Sequence, residues 1–283
     1  MAAEFVVLGA RGRLGGEFLR VLGPRALGLD HAQLPLEEVL QHTALWERLR
    51  PRVVINCAAF NHVDRAETRH EQALAANARG PAQLAALADA MDFRLVHFST
   101  DYVFGGDGLD RPRRETDPPA PVNFYGYSKL LGEQAVLQSR AQALVLRVAN
   151  LYAGRSPAPG RASLVERFLA QARAGRPISV TRRQWLNPTS VRALVPAVLL
   201  LLERRATGVF HLAGEGGCEA ATFARAICRM AGLTPKLRFT VRDARPAARA
   251  RHTVLANARW AELGLPPLPD WQMALHEALA AAS

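Results

Sequence analysis

Lysine is almost missing from this sequence. Of the 36 basic residues among 283, only Lys129 and Lys236 are lysines, and the rest are arginines. With abundant alanine and leucine this reads as a bias of genome composition, so much of the formal net charge of +11 needs no functional explanation. The arginines are scattered along the chain rather than gathered in a tail or one helix. No recognition motif or basic strip interleaved with aromatics appears, and a nucleic-acid partner is therefore not expected. A polyanionic small substrate accounts for the excess equally well. Cysteine is scarce too. Cys57, Cys218 and Cys228 are odd in number and lack any short paired spacing, which argues against a disulfide framework or a metal site and makes a reducing cytoplasm the default. Long apolar runs are absent: the longest, residues 193–202, contains Pro196 and is too short to span a bilayer. The first residues have no basic stretch and reach Gly9 after only a few apolar positions, so they read as a strand rather than a signal peptide. Internal repeats and low-complexity tracts are also lacking.

What is present is alternation. Residues 4–8, 26–29, 52–59, 94–98 and 143–148 form short β-rich runs, separated by segments with helical spacing at 17–22, 37–49, 71–90 and 125–139. Strands alternating with helices at this interval mean βαβ units, hence an α/β fold with a doubly wound, parallel Rossmann-type sheet. Beyond residue 150 the alternation weakens. Residues 164–174, 191–202 and 221–231 look helical and 209–212 look extended. The expected organisation is a dinucleotide-binding domain over 1–150, with returns to it around 187–215, and a smaller C-terminal substrate-binding region occupying most of 151–283.

Two constellations carry chemistry. Gly9-Ala10-Arg11-Gly12-Arg13-Leu14-Gly15 follows the first strand and opens a helix, the context in which a glycine loop cradles phosphates. Asp30 lies 21 residues beyond Gly9 at the end of the second strand. A carboxylate there accepts hydrogen bonds from a ribose 2′-OH and favours NADH, whereas the Arg11 guanidinium suits the 2′-phosphate of NADPH; the balance is drawn slightly toward NADH. The second constellation is Tyr125-Gly126-Tyr127-Ser128-Lys129. Tyr125 and Lys129 are four apart, on one helix face. A ketone reductase must deliver a proton to the alkoxide formed by hydride addition, and a tyrosine does this well only if a neighbouring cation stabilises its phenolate. Tyr127 has Leu131 at the same offset, so Tyr125 is the expected donor. Ser99-Thr100-Asp101 ends a buried strand at the sheet edge where open α/β sheets bind ligands, and Thr100 is placed to hydrogen-bond the substrate oxygen or orient Tyr125.

With these elements in order, the chain resembles the extended short-chain dehydrogenases/reductases and, within them, the dTDP-4-dehydrorhamnose reductases, over nearly its whole length. The resemblance rests on Gly9 to Gly15, on Val54-Ile55-Asn56-Cys57-Ala58-Ala59 running to Val63-Asp64-Arg65-Ala66-Glu67, and on Asn77-Ala78-Arg79-Gly80-Pro81. It continues through His97-Phe98-Ser99-Thr100-Asp101-Tyr102-Val103-Phe104, the stretch from Asn123 to Glu133, Asn187-Pro188-Thr189, Phe210-His211-Leu212-Ala213-Gly214 and Leu268-Pro269-Asp270-Trp271. It implies a catalytic triad of Thr100, Tyr125 and Lys129, with Ala58, Ala59 and Asn77 along an NADH or NADPH cofactor. The implied activity is reduction of a nucleotide-linked 4-keto-6-deoxy sugar, a step of dTDP-rhamnose biosynthesis. Arg182, Arg183 and Arg249 are candidates for the substrate diphosphate.

The sequence also departs from the pattern. Val148-Ala149-Asn150 stands where the family has Thr-Ser-Trp, which puts Asn150 beside the sugar. The usual aspartate after the second strand is lost around Leu34-Pro35, and Arg-Arg-Pro is only partly kept in Ala248-Arg249-Ala250-Arg251. Asn150-Leu151-Tyr152 resembles a motif of sugar epimerases, so an epimerase or another ketoreductase is the alternative enzyme. A non-catalytic dinucleotide-binding subunit, like the regulatory subunit of methionine adenosyltransferase, is the alternative from another class. The expected partner is a nucleotide-sugar, with a homodimer allowed and neither nucleic acid nor membrane involved.

Overall fold

The computed structural model of the chain describes residues 3–153, 162–240 and 245–281. In the first half, strands β1 (Phe5–Leu8), β2 (Ala26–Leu29), β3 (Val53–Asn56), β4 (Arg94–Thr100) and β5 (Ala143–Val148) alternate with α1 (Arg13–Leu22), α2 (Thr43–Leu49), α3 (Val63–Ala66), α4 (His70–Leu74), α5 (Gly80–Met91) and α6 (Phe124–Gln138). Then follow β6 (Leu151–Tyr152), α7 (Leu164–Arg173), β7 (Ile178–Thr181), β8 (Trp185–Leu186), β9 (Thr189–Ser190), α8 (Val191–Glu203) and β10 (Gly208–His211). The last described elements are β11 (Cys218–Glu219), α9 (Ala220–Met230), β12 (Leu237–Thr240), α10 (Ala258–Glu262) and α11 (Trp271–Ala280).

The central strands are apolar on both faces, and Val54, Ile55, Val96 and Val145 are completely buried. Only a parallel sheet covered by helices on each side satisfies such strands. Six strands pair in the order β10-β5-β4-β3-β1-β2, every neighbour parallel. One face is filled by Phe18 of α1 and Leu194 and Val198 of α8, the other by Trp46, Leu84 of α5 and Val136 of α6. A third cluster joins Phe168 of α7, Phe223 and Ile227 of α9 and Leu275 of α11. Strand order reverses between β1 and β3. A crevice therefore opens outside their carboxyl ends, the place where doubly wound sheets take ligands.

Three elements differ from the sequence expectation. The helix expected over 37–49 is a 3-10 stretch, Leu36–His42, followed by α2. The strand expected over 52–59 leaves the sheet after Asn56, because the backbone of Cys57 and Ala58 turns to lie against Gly9. The single helix expected over 71–90 is α4 and α5 joined by a π-helical turn, Ala75–Arg79. Pro81 has no N–H for the Asn77 carbonyl, so the ladder opens there. The widened turn brings Asn77 fully inside.

A buried ion pair ties α6 to the sheet. Arg147 of β5 donates to both carboxylate oxygens of Glu133 at 2.7–3.1 Å, and neither side chain is more than 5% exposed. Removing one partner strands the other charge. Glu133→Ala is expected to lower unfolding free energy by about 3–5 kcal/mol in urea titration, with Glu133→Gln milder because it still accepts a hydrogen bond.

Candidate active site

The glycine loop spans the crevice. Gly9 has φ +74, and a Cβ there would sit 2.8 Å from the Ala58 nitrogen, so only glycine fits between β1 and the chain leaving β3. Gly12 donates its N–H to the Gly9 carbonyl at 2.9 Å and is the N-cap of α1, with no side chain covering the helix end. Gly15 packs on that same carbonyl. No acidic residue stands in the first turn of α1. Its positive dipole end therefore suits the pyrophosphate of a dinucleotide. Leu14 turns its side chain into the core and leaves only its backbone for a ligand. Arg13 reaches across to α7 and meets Glu166 at 3.2 Å.

At the adenosine end expected from the sequence, the two opposing signals meet each other. Asp30 Oδ1 accepts the N–H groups of Ala32 and Gln33 at 3.0 and 3.1 Å, and Oδ2 lies 3.5 Å from Arg11. Arg11 is otherwise exposed. Ala58 donates its N–H to Asn56 Oδ1, whose amide nitrogen lies 3.1 Å from His97 Nδ1. Asn77 spends its side chain on the protein. Its amide brackets the Phe60 backbone, accepting from N and donating to O, and also donates to Ser128 Oγ. It fixes the loop after β3 against α6.

The chemistry converges at the start of α6. Asn123 caps the helix by accepting from the Gly126 N–H at 2.8 Å, and donates to the Ala248 carbonyl. Glu67 accepts the Phe124 N–H at 2.8 Å. Gly126 lies so close to Tyr102 that a methyl group would collide with its carbonyl oxygen. The first turn of α6 is thereby pressed onto the turn after β4. Tyr125 meets Tyr102 edge to face, ring centroids 5.6 Å apart. Burial pushes the Tyr125 phenol up, the Thr100 hydroxyl opposes this, and Asp101 and Tyr102 add to the rise, so Tyr125 is held protonated, as an acid must be. One turn on, Lys129 is buried and donates to the Phe98 carbonyl at 2.6 Å. Burial pulls its pKa down to about 8, with Glu133 and Cys57 opposing. Tyr127 is exposed.

The substrate candidates part company. Arg249 donates to both Asp64 oxygens at 3.1 Å and lies over the Tyr102 ring at 5.7 Å. Arg167 and Arg245 join it there. Burial lowers the Arg167 pKa first, then the Arg245 charge, with Tyr102 opposing and Arg249 adding to the fall. Three guanidiniums thus surround Tyr102 with the Asp64 carboxylate among them. Sequence reasoning missed Arg167 and Arg245 because nothing local separates them from the other arginines; the Asp64 partner of Arg249 was the available hint. Arg182 stacks on Phe239 and Arg183 holds a left-handed turn, both exposed, and no described contact brings either to this cluster. Asn150, at φ +44, stands just beyond Val148, which pairs with Thr100. Tyr152 packs into the core against Phe223, which gives the Asn-Leu-Tyr string a structural role.

Residues 3–283 match the family model described as RmlD substrate binding domain. The chain is 39% identical over 290 aligned residues to a dTDP-4-dehydrorhamnose reductase of Mycolicibacterium smegmatis, covering 99% of this chain and 86% of that protein. It is 33% identical to a dTDP-4-keto-6-deoxy-D-glucose reductase of Streptomyces niveus, with 98% and 97% covered. Among solved structures, a dTDP-4-dehydrorhamnose reductase from Bacillus anthracis in complex with NADP superposes with TM-score 0.91 at 27% identity, over 99% of this chain and 100% of that one.

Gly126→Ala is expected to push α6 off the Tyr102 turn and lower turnover by about 10²-fold, while cofactor affinity measured by fluorescence titration changes little.

Proposed function

The chain belongs to the RmlD family of extended short-chain reductases, and from that premise we propose that it reduces the C4 keto group of a dTDP-linked 6-deoxy sugar with a nicotinamide dinucleotide. The observation that carries the reading is the meeting of Thr100 and Tyr125, with Lys129 buried one turn along the same helix and an arginine cluster around Tyr102.

The glycine loop and the α1 N-terminus hold the pyrophosphate, and the backbone from Cys57 to Ala59 lines the path toward the nicotinamide. When bound, the dinucleotide supplies the hydride. Tyr125 gives its phenolic proton to the sugar oxygen as negative charge develops there, and Thr100 hydrogen-bonds that oxygen. Lys129 stabilises the phenolate left behind, and one turn of helix keeps its charge within reach. Arg249, Arg167 and Arg245 bind the diphosphate, and Asn150 offers a carboxamide to the sugar where an aromatic would offer a flat face. Residues 151–283 act mainly as the substrate-binding region.

Incubation with NADH and a dTDP-4-keto-6-deoxy sugar is expected to oxidise the cofactor and yield the corresponding alcohol. Tyr125→Phe is expected to cut this rate by at least about 10²–10⁴-fold with cofactor affinity nearly unchanged, since only the proton donor is removed. Wild-type turnover in that variant would overturn the assignment.

The preferred cofactor is NADH. To accept a 2′-phosphate, Arg11 must leave Asp30, and the freed carboxylate then repels the ligand. Fluorescence titration is expected to show NADH binding at least as tightly as NADPH, and Asp30→Asn to improve NADPH alone. NADPH tighter by roughly tenfold, about 1.4 kcal/mol, would refute the preference.

A further inference from the structure

Thr100 has one hydroxyl proton and more than one place to send it. Its Oγ1 lies 3.0 Å from Asp101 Oδ1 and accepts the Tyr102 N–H at 3.2 Å, and it also interacts with the Tyr125 phenol. If Asp101 is ionised it takes that proton, for a carboxylate only accepts. One lone pair of Thr100 then remains, and the nearest donor for it is the Tyr125 O–H. The proton that should reach the sugar is diverted, and Thr100 has nothing to donate. If Asp101 is protonated the pattern inverts. Asp101 O–H and Tyr102 N–H fill both lone pairs of Oγ1, so the Thr100 O–H must point toward Tyr125 and the substrate.

The surroundings bring the second state within reach of neutral pH. Asp101 is 2% exposed, no cation pairs with it among the described residues, and its Oδ2 makes no full hydrogen bond. Burial raises its pKa to about 6, with the Thr253 and Thr100 hydroxyls and the backbone N–H groups of Asp101 and Tyr102 opposing, so the neutral form dominates below that pH and is the minor one above it. Tyr125 faces it from α6 and Tyr102 from its own turn; Arg249 and Arg245 act on Tyr102 from the 245–249 segment rather than pairing with the carboxyl. A diphosphate on the arginines brings further negative charge nearby, which favours the neutral acid.

We propose that Asp101 is a positioning residue that works in its neutral form, donating to Thr100 so that the hydroxyls of Thr100 and Tyr125 both point at the substrate oxygen. The proposal rests on the reading of Thr100 and Tyr125 given above. It makes Asp101 a gate on proton delivery, with turnover lost as the carboxyl ionises.

The test is the pH dependence of kcat with NADH and saturating dTDP-4-keto-6-deoxy sugar, from about pH 5 to about pH 7.5, below the range in which Lys129, pulled down to about 8, loses its charge. Wild type is expected to lose activity toward alkaline pH with the slope of a single proton. Asp101→Asn presents an N–H to Thr100 at every pH, and is expected to flatten that limb while cofactor affinity stays within about twofold. Thr253→Val removes a donor to the carboxylate and is expected to shift the limb to higher pH without abolishing it. This second variant serves even if Asp101→Asn does not fold. A flat wild-type profile, an unchanged limb in Asp101→Asn, a soluble Asp101→Asn that binds cofactor but is inactive at every pH, or an unmoved limb in Thr253→Val would each overturn the proposal. Tyr125→Phe separates the two readings: if it is inactive while Asp101→Asn keeps the limb, only the role of Asp101 fails.

Discussion

Gly126 has no side chain, and so the first turn of α6 rests against the carbonyl of Tyr102. Tyr125 comes within reach of Thr100 through that contact, which the buried Lys129–Phe98 hydrogen bond between α6 and β4 reinforces one turn on. Asn123 and Glu67 hold the same turn from either side, one linked to Ala248 and the other arriving from the segment after β3. Glu67 lies three residues beyond Asp64, which grips Arg249. The proton donor, the catalytic hydroxyl and the anion-seeking rim are therefore positioned by one set of contacts rather than by three separate supports.

Charge is layered around that contact. Lys129 lies deep, between the Phe98 carbonyl and a Glu133 already neutralised by Arg147, so its charge is not consumed by a carboxylate of its own and remains for a phenolate. Above it the phenol of Tyr125 is protonated because burial disfavours its anion. At the rim Arg167, Arg245 and Arg249 gather around Tyr102 with Asp64 among them. A polyanionic sugar nucleotide is attracted by the rim and a transient anion by the base, while the layer between stays neutral until reaction.

The fold was legible because its signals are local. Buried runs such as Val53-Val54-Ile55 read as parallel strands, and a glycine cluster between strand and helix read as a phosphate loop. The misreadings have a common cause. Residues 71–90 carry a helical pattern throughout, and Pro81 opens the ladder at Asn77, yet only the folded chain brings Phe60 and Ser128, 17 and 51 residues away, to the amide that the widened turn buries. Arg11 and Asp30 pointed to opposite cofactors, and neither pattern revealed that the two side chains pair with each other.

By itself the sequence determined the periodicities: which segments are strands, which helix carries Tyr125 and Lys129 on one face, and where bare N–H groups await a phosphate. These depend on residues within a turn or two of one another. Tertiary structure alone decided which arginines gather. Arg167 comes from α7, and Arg245 and Arg249 from the segment before α10; in sequence they look like Arg182 and Arg183, which lie elsewhere on the surface. It also decided that Asp101 is buried without a cation among the described residues, a property of the groups that close over it from α6 and the 245–253 segment. A side chain's charge is written in the sequence, but its partner is fixed only when distant segments meet, and the energy of a charge depends mostly on the partner and the solvent it loses.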